Sequence, residues 1–174
     1  MSITHPGRRD VALKSSPDVA AARRETCRLV RTDEDLDLHH GVRRAVFVHE
    51  QGLFRGSDRD PLDESADVVH VLGLVDGVAA GAVRLYPCRE EDPRDGLWKG
   101  DRLAVLPGRR AGHLGAALVR FAVSTAGALG GRRMRALVQA PNEVFFHRLG
   151  WSSTGGPVDH LGVPHVRMEI ALGP

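Results

Sequence analysis

Two apolar runs, Val68 to Val75 and Val78 to Tyr86, are separated by the dipeptide Asp76-Gly77. A two-residue turn of the tight I′ type needs positive φ at both central positions, which Asp-Gly supplies, so the two runs predict an antiparallel hairpin. Each run is apolar on both of its faces. Such a hairpin cannot leave one face in water, and helices are expected on each side of the sheet that contains it.

The flanking sequence supplies those helices. Thr32 is placed to cap a helix whose first turn holds Asp33, Glu34 and Asp35, a favourable charge at a helix start. Leu38, Val42, Ala45, Val46 and Phe47 mark its apolar face, and it should end near Gln51-Gly52. A second helix carries Leu114, Ala117, Leu118, Phe121, Ala122 and Thr125 on one face and stops at Gly130-Gly131. A short third one runs from Asn142 to Leu149 behind Pro141. Strands are expected at Cys27 to Val30, Leu97 to Val105 and Arg133 to Gln139, with closing strands at Trp151 and Val163 to Leu172. The order β-α-β-β-β-α-β-α-β-β implies an α/β (α+β) domain, with a mixed, mostly antiparallel sheet between helices. Residues 1–25, rich in Pro, Ser, Arg and Asp without periodicity, read as a flexible tail before a domain spanning 26–174.

Composition excludes several classes. A net charge of +2 makes no demand for nucleic acid. No apolar run is long enough for a membrane span, and the N-terminus has no apolar signal region, so the expected location is the cytoplasm. Two cysteines cannot frame a disulfide scaffold, and no His/Cys spacing frames a metal. His39 and His40 are helix neighbours expected to point in different directions, and His160 and His165 flank a turn.

Positive charge comes almost wholly from arginine, with lysine only at Lys14 and Lys99. Arg109 and Arg110 lie in a glycine-containing loop, Pro107 to Gly112, just where a strand hands over to the second helix. The N–H groups opening a helix and the helix dipole attract anions, and arginine adds charge-assisted bonds to phosphate oxygens. Gly112 and Gly115 would let the backbone approach such a ligand. A routine solvated turn explains the loop equally well.

The segment resembles the R-x-x-G-x-G/A motif of GNAT acetyltransferases, with Arg110 as its arginine, Gly115 as its last position and His113 where the family has its first glycine. Three more segments match in register. Arg44, Val46-Phe47-Val48 and Glu50-Gln51 resemble the R-x-VFVxEQ opening of one bacterial branch, and are similar to a set labelled nitrogen-starvation acetyltransferases. Asp58, Asp60 and Asp63 match its acidic loop and His70 its strand histidine, while Asn142 with Phe145 to Trp151 resembles the N…FYxxLGF segment. The resemblance covers Cys27 to Leu172.

It implies an acyl-CoA-dependent N-acetyltransferase moving an acetyl group from acetyl-CoA to a small-molecule amine, with no metal, no nucleic acid and no membrane partner. Many relatives are homodimers. The sheet should have six to seven strands. Backbone groups of Leu103 and Val105 would meet the cofactor's pantetheine arm. Arg109, Arg110, Gly112, His113, Leu114, Gly115 and Ala116 would hold its pyrophosphate, with Asn142 and Phe146 also binding the cofactor. Substrate contacts fall to Phe47 and Arg84; a buried arginine at that strand position needs an acidic partner, either Glu50 or a substrate carboxylate.

Acyl transfer to an amine needs a base, because aliphatic amines are mostly protonated near neutral pH. Asp101 is the first candidate: strict alternation places its side chain on the face shared with Leu103 and Val105. Its alternative role is a surface pair with Arg102. Glu50 and His70 are the other candidates. Phe146 stands where many relatives have a proton-donating tyrosine, and Tyr86, the single tyrosine, belongs to another strand. Two other readings share the fold. One is a synthase of acyl-homoserine lactones, echoed by Arg43 to Phe47, the acidic loop and Arg84-Leu85; the other is a catalytically silent acyl-CoA sensor.

Overall fold

The structure, a computed structural model, describes residues 23–89 and 93–173. The expected tail over residues 1–22 lies outside the described residues, as does part of the loop from Pro87 to Gly96. The chain forms β1 (Glu25–Leu29), α1 (Asp33–Arg43), β2 (Val69–Val75), β3 (Val78–Pro87), β4 (Leu97–Val105), α2 (Leu114–Ala128), β5 (Arg133–Gln139), α3 (Glu143–Arg148), β6 (Ser152–His160) and β7 (Val163–Ala171). This is the expected order. The seven strands lie in one sheet in the order β1-β2-β3-β4-β5-β7-β6. Every neighbouring pair is antiparallel except β4 and β5. Asp76 and Gly77 turn the hairpin with φ of 51° and 82°.

Helices cover both faces. On one side Leu114, Leu118, Val119, Ala122 and Ala126 of α2 pack on Val71, Val83 and Leu85. α2 lies so close that a Cβ on Gly81 would stand 2.6 Å from Leu118, so this strand position needs glycine. Leu118 is fully buried; its truncation to alanine belongs to the class that costs about 2–5 kcal/mol. On the other side Val42, Val46 and Phe47 pack on Ala82 of β3 and Ala104 of β4.

Thr32 caps α1 by accepting from the Asp35 amide. The helix then continues as a wider π turn over Arg44–Glu50, ending at Gln51 before the left-handed Gly52. Its inward stripe differs from the apolar one expected. Leu38 is 42% exposed, whereas His39 and Arg43 are wholly buried. Apolar periodicity missed these two because Arg43 pairs inside with Asp58 and Asp63, and His39 meets the Val83 carbonyl through Nε2.

Two irregularities shape the middle of the sheet. The parallel pairing of β4 with β5 covers only Leu97–Gly100 against Arg133–Ala136, after which the strands diverge. Just there Arg102 has φ of 52°, and the register between β3 and β4 shifts. This bulge turns Asp101 and Arg102 toward the α1 side with Ala104, while Leu103 and Val105 pack on the α2 side. Strict alternation is therefore wrong at Asp101: it does not share a face with Leu103 and Val105.

Candidate active site

A cleft of about 960 Å³ runs through the sheet where β4 and β5 diverge. Phe47 and Phe54 line it from the α1 side, Val119 and Ala122 of α2 and Phe146 from the other. A single cavity can touch both faces only because the sheet is open between those strands. Asn142 also lines it, as do Thr154, His160 and Leu161 of the β6–β7 hairpin.

Beneath the cleft lies a network of charges. Arg84, with a side chain 1% exposed, donates to Asp101 from Nε at 2.8 Å and Nη2 at 2.7 Å, and to Asp60 from Nη1 at 2.6 Å and Nη2 at 2.9 Å. Arg43, equally buried, donates to Asp58 at 2.7 Å and to both oxygens of Asp63 at 2.6 and 3.0 Å. Arg102 reaches Asp60 at 3.1 Å and stacks over the Phe54 ring at 4.8 Å. Buried charges need partners of this kind to be tolerated at all. The acidic partners of Arg84 are thus Asp60, Asp101 and, at 3.1 Å, Asp63, not Glu50, and Arg102 pairs with Asp58 and Asp60 rather than with Asp101. The hydrogen bonds of Arg84 hold Asp60 below the ordinary carboxylate range against the opposing effect of burial. Burial likewise opposes the charge on Asp63, but His40, 3.8 Å away, and Arg43 outweigh it and hold that carboxyl well down.

Tyr86 stands over this network, its hydroxyl donating to Asp101 at 3.3 Å. Burial, with the Asp101 charge adding to it, pushes the phenol's pKa up, so it stays protonated. No sequence signal placed Tyr86 here; only the register of β3 on β4, with Arg84 opposite Asp101, does so.

His70 lies elsewhere. Its ring packs at 4.7 Å from that of His39 and 5.9 Å from that of His40, so His39 and His40 converge on it rather than diverge. His39 donates from Nε2 to the Val83 carbonyl at 3.3 Å; burial, reinforced by His70 and Arg43, pushes its pKa down to about 3. His70 is shifted down too, mainly by burial. The cluster borders Asp63 and does not line the cleft.

The basic loop lies at the other end of β4. Leu106 leads into a short turn, Pro107–Arg109, and α2 opens at Leu114 with no side-chain cap from His113. Glu25 of β1 fills that role: both its oxygens accept from the His113 amide, at 3.1 and 2.9 Å. A Cβ on Gly112 would run into that carboxylate. Arg110 donates to the Val105 carbonyl at 2.9 Å and grips Glu50 with both terminal nitrogens at 2.6 Å; this pairing holds Glu50 below its ordinary range. Gln139 at the end of β5 donates to Gln51 at 3.0 Å, linking the end of the first helix to the far wall of the cleft. Leu114 is wholly buried in the core, so only its backbone is available to a ligand. Arg109 and Ala116 are half-buried, and Gly115 is loosely surrounded. The loop's donors thus already hold anionic groups, which is the chemistry a diphosphate would require.

The acetyltransferase (GNAT) family pattern matches residues 31–151. The chain belongs to that family. No curated protein sequence matches it. Among solved structures, an acyl-CoA N-acyltransferase from Pseudomonas aeruginosa superimposes with a TM-score of 0.71 at 23% identity, covering 85% of this chain and 99% of that one. FeeM, an N-acyl amino acid synthase from uncultured soil microbes, gives 0.70 at 14% identity, covering 88% and 93%. BjaI, a CoA-dependent acyl-homoserine lactone synthase, gives 0.65 at 23% identity, covering 81% and 78%. At these identities the likeness is one of fold. GNAT enzymes draw their acyl group from acyl-CoA, and the open sheet and anion-holding loop of this GNAT domain fit such a donor. Among the described residues no group of side chains has the arrangement of a metal site.

Proposed function

We propose that this GNAT domain is an N-acetyltransferase that moves the acetyl group of acetyl-CoA to a small-molecule amine. The observation that carries the reading is the cleft passing through the sheet at the divergence of β4 from β5. Donor and acceptor can then enter from opposite faces and meet at the bulge. The diphosphate would replace the carboxylates of Glu25 and Glu50 on the His113 amide and Arg110, with Arg109, Gly112, Leu114, Gly115 and Ala116 framing it. Pantetheine would run along the open edge of Leu103 and Val105, and the thioester would come to rest between Asn142, Phe146 and Asp101.

Asp101 is the base we assign, taking the amine's proton through water, since it is the proposed base that lies on the cleft wall. Glu50 is tied to Arg110 on the surface, and His70 faces the histidine cluster. Phe146 cannot donate a proton. Tyr86, protonated and on the cleft wall, is the donor we assign to the leaving thiolate. Phe47 and Arg84 shape the acceptor side, Arg84 by fixing Asp101 and Asp60.

Calorimetry with acetyl-CoA, followed by an amine screen reading free thiol, tests the proposal; absence of binding to any acyl-CoA at submillimolar concentration would sink it. Asp101→Asn should lower kcat by at least about a hundredfold, the lower end of general-base effects. Unchanged turnover with every accepted amine would remove Asp101 from the mechanism. The alternative of homoserine-lactone synthesis is favoured by one observation: Arg43, Arg84 and the acidic loop form a single network, with a fold like that of BjaI. Lactone formation from S-adenosylmethionine and an acyl-CoA would establish it.

A further inference from the structure

The acidic loop suggests at first sight a site for cationic amines, but its carboxylates are already engaged. Of the carboxylates on the cleft wall, Asp60 accepts from Arg84 twice and from Arg102 once. Asp101 accepts from Arg84 twice and from Tyr86. The cations on the wall are not all so engaged. Lys99 of β4 and Arg167 of β7 line the same cleft, and among the described residues neither has a carboxylate partner.

Their positions in the sheet put them together. Lys99 is two residues from Asp101 on the same face and lies opposite Arg135 in register; Arg135 pairs with Glu169 on β7, and Leu137 with Arg167. Val166 and Met168 belong to the core on the α2 side, so Arg167 between them points to the α1 side, where the acceptor would enter. β7 is the second strand from β4, and two paired-strand spacings of about 4.8 Å set a lower bound, so with the strands diverging beyond Gly100 Arg167 stands at least on the order of 10 Å from β4, across the opening that one small molecule anchored at Asp101 would span.

The cleft is therefore polarised. At the Asp101 end the network of Arg43, Arg84 and Arg102 with Asp58, Asp60, Asp63 and Asp101 carries one more carboxylate than arginine. Toward β5 and β7 the uncommitted charges are positive. We infer that the acceptor is an amine bearing its own anionic group, a carboxylate or a phosphate, with the amine toward Asp101 and Tyr86 and the anion toward Lys99 and Arg167. The inference rests on the acyl-transfer reading above and names the substrate class of that site. A polyamine would put one cationic end beside Lys99 and Arg167, which is unfavourable at such distances.

The test is thiol release from acetyl-CoA with four kinds of probe at equal concentration: L-amino acids, O-phosphoethanolamine, tyramine and spermidine. Amino acids or phosphoethanolamine should exceed tyramine and spermidine at least tenfold in kcat/KM, and the better of the two identifies the anion as carboxylate or phosphate. Lys99→Ala and Arg167→Ala, at a half-buried and an exposed position, should together raise KM for that amine at least tenfold while kcat falls less than threefold. Release with tyramine or spermidine matching that of the anionic amines overturns the inference and leaves acyl transfer standing, as does an unchanged KM in the double variant. No release with any amine overturns the acyl-transfer reading itself.

Discussion

Arg84 and Arg110 each hold a carboxylate with paired nitrogens at under 3 Å, yet their side chains are 1% and 43% exposed. In the interior, replacing the partner means leaving a charge without water, so the network of Arg43, Arg84 and Arg102 is fixed once the chain has folded. At the loop, water can take over each bond, and an exposed ion pair contributes about 0–1 kcal/mol. The same pairing chemistry is thus scaffold in one place and a displaceable placeholder in the other. What separates them is burial, not geometry.

The comparison breaks most visibly at Arg43. Arg43→Met should cost up to about 3–5 kcal/mol in denaturant unfolding, because Asp58 and Asp63 would lose their nearest cation and keep only Arg102 and Arg84, at 3.2 and 3.1 Å; a loss below about 1 kcal/mol would show that the network holds nothing together. Arg110→Ala should leave the melting temperature nearly unchanged but weaken CoA binding by about 1.5–3 kcal/mol, the range for hydrogen bonds to charged groups. An equal loss for pantetheine fragments without the diphosphate would place that arginine elsewhere.

The interior also carries a pH dependence between neutral and mildly acid pH. With its folded pKa pushed down to about 3, His39 stays neutral while the unfolded chain binds a proton below its ordinary value near 6.5. Between those values the unfolded state holds more protons, so stability falls as pH drops. From pH 7 to pH 5 the loss from His39 alone is roughly 2 kcal/mol, and His70, also shifted down, adds to it. Urea unfolding at the two pH values measures this, and His39→Leu should flatten the dependence. The smallest effect is expected at Glu25→Gln. Removing a carboxylate from the start of α2 removes an interaction worth about 0.3–1 kcal/mol and a competitor for the diphosphate, so CoA should bind about two- to fivefold tighter. Weaker binding would show that Glu25 supports the loop instead of occupying it.

The fold was legible in the sequence because its signals are local. Asp76-Gly77 turns the hairpin, the apolar runs on both sides of it call for two helical layers, and Thr32 caps the first of them. The site was less so. Arg84 as a buried cation, Asp101 on the cleft wall and Phe146 inside it were all readable as residues with needs. Their partners were not, since Tyr86 reaches Asp101 through strand register and Asp60 reaches Arg84 through a loop that no periodicity describes. His39 and Arg43 failed the apolar pattern of α1 for the same reason: their inward partners, the Val83 carbonyl and the acidic loop, come from distant parts of the chain.

The bulge at Arg102 also sets what mutation can do to this strand. Because one extra residue reverses the sides on which Leu103, Ala104 and Val105 lie, the two halves of β4 answer to different neighbours. Deleting one residue between 100 and 103 would bring β4 into step with β3, since two steps from Ala82 to Arg84 now face three from Asp101 to Ala104, and would leave Leu103, Ala104 and Val105 on their present sides. What it would take away is one of the two adjacent polar side chains turned toward α1, where Asp101 meets Arg84 and Arg102 meets Asp60. The residue count of β4 thus governs the charge on the cleft wall and not the packing of the core.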